Sequence, residues 1–99
     1  MLNIQKNIAN GAAAYLLEGR LDTTTAPELE KELRNMPEDV TKLLLDFAAL
    51  EYISSAGLRV LLSAQKLMMK KGSMTVTHVN ETVMEIFEVT GFVDILTIE

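Results

Sequence analysis

Apolar residues recur along this chain in two rhythms, and the changes of rhythm mark its elements. In LNIQKNI (residues 2–8), Leu2, Ile4 and Ile8 fall on alternate positions, the pattern of a half-exposed strand. Asn10-Gly11 is a strong turn dipeptide, and AAAYLLEGRL (12–21) reads as a second strand, so the opening of the chain predicts a β-hairpin. TTTAPELEKELRN (23–35) shifts to the helical period. Leu29 and Leu33 form a narrow apolar stripe one turn apart, while Glu28, Glu30, Lys31, Glu32 and Arg34 face water. Thr25 and Glu28 fit a capping box, Pro27 is tolerated in the first turn, and Met36-Pro37 ends the helix.

KLLLDF (42–47) is nearly continuously apolar, as expected of a strand buried on both faces, and a loop through Leu50 and Tyr52 follows. From Ala56 to Lys71 the pattern is helical. Arg59, Ser63, Lys66 and Lys70 follow i, i+4, i+7 and i+11, a polar stripe on an apolar cylinder, and Gly72 is a natural stop. SMTVTHV (73–79) alternates, with Met74, Val76 and His78 on one side. Asn80 suits the cap of a third helix over 81–90, which Gly91 closes, and a last short strand is expected at 94–98. The order β-β-α-β-α-β-α-β predicts an α/β fold. A mixed, mostly parallel sheet opens with the N-terminal hairpin, and about three main helices lie on one or both of its faces.

A length of 99 residues suits one small domain spanning 1–99 rather than two, and 48% hydrophobic residues suffice for a core. The net charge of −5 argues against a nucleic-acid partner and against anionic membrane surfaces. With no cysteine there is no disulfide framework or thiolate metal site. The N-terminus lacks the pattern of a secretory signal, and no apolar run approaches the roughly 20 residues of a membrane span, which makes the cytoplasm the default expectation.

The residues that enzymes use are scattered. The lone histidine, His78, falls in a predicted strand, and the serine context is SSAG rather than G-x-S-x-G. There is no phosphate-binding glycine loop. Acidic residues are spread over solvated faces rather than gathered as metal ligands, so neither a metal nor another cofactor is expected. A small α/β nucleotide binder is the alternative from a different class, and the missing loop counts against it. On sequence chemistry alone, Ser54 and Ser55 read as ordinary N-cap serines of the second long helix.

LLLDFAALEYISSAGLRVLLSAQK (43–66) resembles the signature of STAS domains, in particular those of anti-sigma factor antagonists: a buried strand, a loop, and a serine turn opening a helix. EGRLDTTTAPELEKEL (18–33) resembles the family's G-x-L-D strand end and first helix, and EIFEVTGFVDILTI (85–98) its closing segment. The resemblance implies a non-enzymatic partner switch. The unphosphorylated domain binds a serine kinase that doubles as an anti-sigma factor, the kinase phosphorylates and releases it, and a PP2C-type phosphatase resets it. Aligned on Gly57 and Leu58, Ser55 is the first choice of acceptor and Ser54 the second, with Ser54 standing where many members have aspartate. The implied partner-binding residues are Asp22, Ser54, Ser55, Gly57 and Arg59, with Asp46 a weaker candidate. Asp22 reads equally as a helix-flanking acid, and Arg59 and Ser63 either contact a partner or face water. A second role within the same fold is a STAS subunit of another assembly, a transport complex or signalling scaffold, whose serine is never phosphorylated.

Overall fold

The computed structural model describes every residue from Met1 to Glu99. Its elements are β1 (Leu2–Ala9), β2 (Ala12–Leu21), α1 (Ala26–Arg34), β3 (Lys42–Ile53), α2 (Ser55–Lys71), β4 (Ser73–Thr77) and α3 (Glu81–Thr90), followed by a 3₁₀ turn at Phe92–Asp94. The sheet order is β1-β2-β3-β4. β1 and β2 form the antiparallel hairpin, while β2–β3 and β3–β4 are parallel, joined by α1 and α2. Asn10 and Gly11 both have positive φ at the hairpin turn, the conformation a two-residue connection requires. The mixed, mostly parallel sheet with three helices is the architecture expected from the element order.

Burial is confined to one face of the sheet. Ala13, Tyr15 and Leu17 of β2, Leu43, Leu45 and Phe47 of β3, and Met74 and Val76 of β4 are buried beneath the helices. Between them, Ala12, Leu16 and Lys42 are exposed, and Leu44, Asp46 and Thr75 are half-buried. β3 is therefore not covered on both faces. Its apolar run combines inward Leu43 and Leu45 with a Leu44 that lines an open groove on the far side.

β3 also continues to Ile53, where the sequence suggests a loop. Its pairing with β2 shifts register between Leu16 and Glu18 and again between Gly19 and Arg20, each time inserting a residue in β3. Inward positions consequently fall at Leu43, Leu45, Phe47, Leu50 and Ile53. The spacing lengthens from two residues to three, which hides the strand from any period-2 reading. The carboxylate of Asp46 accepts the Ala48 amide at 2.9 Å, satisfying a donor at the first bulge.

Three smaller expectations also change. The capping box at Thr25 does not form. The Thr25 hydroxyl donates instead to the Arg20 carbonyl at 2.8 Å and accepts from the Asp22 amide at 2.8 Å. His78 leaves β4 with φ of 57° and turns toward Asp46, 3.0 Å from its carboxylate, rather than continuing the strand's alternation. The expected strand at 94–98 shrinks to one parallel bridge, Val76 to Ile98. Phe92 stacks on Phe87, and its carbonyl accepts the amides of Ile95 and Leu96, so the chain coils before it can extend.

Candidate functional site

The parallel pair β2–β3 carries the chain ends that build the site. Leu21 pairs with Ile53, and the Ser54 amide donates to the Leu21 carbonyl at 2.9 Å. Asp22 and Ser54 therefore leave the same edge of the sheet side by side. This edge lies at the carboxyl ends of the parallel strands, where α/β sheets expose their loops.

Asp22 organises its side of the edge. One carboxylate oxygen accepts from the Thr24 hydroxyl at 2.8 Å, the Thr24 amide at 3.0 Å and the Thr25 amide at 3.2 Å. The Thr24 hydroxyl, followed by these amides, holds the Asp22 carboxyl below the usual carboxylate range. Its other oxygen lies 4.0 Å from Arg20 Nε, and the Arg20 guanidinium rests 4.5 Å above the Tyr52 ring. Arg20 and Tyr52 were not singled out from sequence. They are neighbours only through the bulged register of β2 against β3, which no local pattern reveals.

Across the edge, α2 begins at Ser55 with Ser54 as its N-cap residue. Ser54 has extended backbone geometry, yet its hydroxyl caps no helix amide and is buried without a hydrogen-bond partner. Ser55 is exposed at the first helical position. The first turn of α2 contains no acidic residue, so no side chain of that turn answers its free N–H groups and positive dipole end. Gly57 is buried rather than presented. A Cβ there would come within 2.8 Å of both Leu21 and Ile53, so the missing side chain lets α2 sit against the ends of β2 and β3.

Arg59 and Ser63 are exposed on α2 and line a groove of about 420 Å³ between α1 and α2, with Thr23, Pro27, Glu30 and Lys66 among its other walls. Asp22, Ser54, Ser55, Gly57 and Arg59 thus belong to one corner of the molecule. Asp46 stands apart. It lies in the middle of β3, on the uncovered face, where the Ala48 amide and then His78 lower its pKa.

The STAS domain family matches residues 3–99. The chain belongs to the STAS family. It is 35% identical over 91 residues to BtrV of Bordetella bronchiseptica, provisionally assigned as an anti-sigma factor antagonist, covering 90% of this chain and 78% of that protein. Its fold is similar to the crystal structure of an anti-sigma factor antagonist from Mycobacterium paratuberculosis, with TM-score 0.88, 21% identity and coverage of 99% and 85%. The Bacillus cell fate determinant SpoIIAA in its phosphorylated form shares the fold at TM-score 0.76 and 16% identity, covering 98% of this chain and 91% of that one. No helix of this STAS chain is long and apolar enough to cross a membrane.

Proposed function

We propose that this STAS chain is a phosphorylation-controlled partner-switching regulator with no catalysis of its own. The unphosphorylated form binds a serine kinase that acts as an anti-sigma factor and relieves its inhibition of a client. The kinase phosphorylates Ser55 and is released, and a PP2C-type phosphatase restores the binding form. The observation that carries this reading is Ser55 itself: an exposed hydroxyl at the first position of a 17-residue helix whose first turn carries no anion, beside the ordered Asp22 turn.

The physical logic needs two opposite effects at one atom. A phosphate adds about −1.5 to −2 charge. At a helix N-terminus that charge meets open N–H donors and favourable dipole, so the fold tolerates it. Against a docked protein the same charge must be desolvated, at a cost of several kcal/mol where no cation answers it. Since about 1.4 kcal/mol is tenfold in affinity, a fraction of that cost releases the complex.

Ser55→Glu is expected to melt within a few degrees of the parent, a stability change of about 1 kcal/mol or less, and to bind the kinase at least tenfold more weakly. Ser55→Ala keeps both stability and binding but takes up no phosphate. Thermal melts, calorimetric titration and mass-spectrometric mapping of the phosphate test the three statements. Phosphate solely on Ser54 moves the switch by one residue; tight binding by Ser55→Glu refutes it.

A further inference from the structure

Charge on this molecule is segregated by element. The chain has nine Lys and Arg against fourteen Asp and Glu, yet α2 carries four of the nine cations and none of the acids. Lys70 and Lys71 lie in its last turn, where the helix dipole favours cations. Arg59 has no such explanation. It sits one turn from the N-terminus, is exposed, and takes no part in the ion pairs Lys6–Glu32, Arg20–Asp22, Arg34–Glu30 and His78–Asp46. Glu30, the acid across the groove, is engaged by Arg34 at 3.6 Å. At 100° per residue, Ser55, Lys66, Arg59 and Lys70 fall within an arc of about 60°, so a basic ridge runs down the outward face of α2 with Ser55 at its head.

We propose that this ridge docks an acidic segment of the regulator, and that Arg59 is contested between that segment and a phosphate on Ser55. The proposal rests on the reading of Ser55 as the phosphorylated switch. Residues i and i+4 on a helix are neighbours, with Cβ atoms about 5–6 Å apart, within reach of a guanidinium and a phosphate. Arginine also matches phosphate and carboxylate alike with a planar fork of donors. Unmodified, the chain offers the regulator's carboxylates three outward cations. Phosphorylated, it withdraws Arg59 into an internal pair and sets like charge against the acidic segment. This gives the switch a local attraction that replaces the one it breaks.

Two measurements test it. In the first, phosphoserine is installed genetically at position 55, without any kinase, and its second ionisation is followed by 31P NMR. Arg59→Ala is expected to raise the midpoint by about 0.3 pH, Arg59→Lys to restore most of it, and Lys66→Ala, three turns away, to leave it unchanged. Equal midpoints in parent and Arg59→Ala overturn the pairing. In the second, calorimetry with the serine kinase is run at low and high salt on the unphosphorylated chain. Arg59→Ala and Lys66→Ala should each weaken binding by three- to tenfold and flatten its salt dependence, with melting temperatures unchanged. Unchanged affinity and slope overturn the docking surface. A kinase that neither binds nor modifies the parent removes the switch reading and the docking surface together, while the NMR result still decides the role of Arg59. If the chain self-associates and Arg59→Ala disperses it, the acidic segment is the Glu81, Glu85 and Glu88 face of another copy's α3, and the regulator is the wrong occupant.

Discussion

Asp22 shows how one side chain can order a loop and leave a titration signature. Its carboxylate draws in two backbone amides and the Thr24 hydroxyl across only three residues. Because folding holds its pKa below the ordinary carboxylate range, the unfolded chain takes up the proton first as pH falls. The stability Asp22 supplies is therefore complete above that range and is lost as pH drops toward the folded-state pKa. Asp22→Asn is expected to unfold at lower urea concentration than the parent at pH 7, with a narrower gap at pH 3. Urea titrations at the two pH values check this, and an equal gap at both would mean that the carboxylate charge contributes nothing. The sequence offered two readings of Asp22, a partner contact and a helix-flanking acid. The hydrogen bonds place the carboxylate on the turn at Thr24 and Thr25 that leads into α1.

At the scale of elements, α2 departs from its own sequence signal. A serine immediately before a helix reads as a cap, and replacing a capping serine with alanine costs about 1 kcal/mol. Ser54 occupies the cap position but its hydroxyl makes no cap hydrogen bond and is buried unpaired. Removing an unpaired buried hydroxyl relieves a desolvation cost instead. Ser54→Ala is accordingly expected to leave stability unchanged or raise it by up to about 1 kcal/mol, as read by chemical denaturation. A loss of 1 kcal/mol or more would restore the capping role. β3 departs from its signal for another reason. Its second half, AALEYI, does not alternate because two bulges stretch the inward spacing, and those bulges exist only through the pairing with β2.

For the whole molecule, the consequence of one-sided packing is an asymmetry between adjacent residues. Leu16 and Leu17 are neighbours of identical chemistry, yet Leu16 is 43% exposed and Leu17 1%. Leu17 belongs to the core cluster of 25 buried residues, into which all four strands and all three helices contribute side chains. Leu17→Ala is expected to cost about 2–5 kcal/mol, while Leu16→Ala stays within about 0.5 kcal/mol. Paired denaturation curves of the two variants test this. Comparable losses would require a second layer covering the far side of the sheet.

The sequence by itself determined the order and kind of nearly every element, because hairpin turn, helical stripe and glycine stops act within a few residues of one another. It also carried the basic stripe of α2, a property of a single helix, whereas Ser55 was pointed to by the resemblance to the STAS signature and not by local chemistry. Tertiary structure decided whatever depends on two distant segments meeting. Pairing with β2 carried β3 past Phe47, and the placing of all three helices on one face left Leu44 half in water. The same pairing set Arg20 over Tyr52 and brought Asp22 beside Ser54. Stacking of Phe92 on Phe87 coiled the C-terminal segment that its alternation would have extended. Local periodicity carries no information about register between strands, and register is what assembles this corner of the molecule.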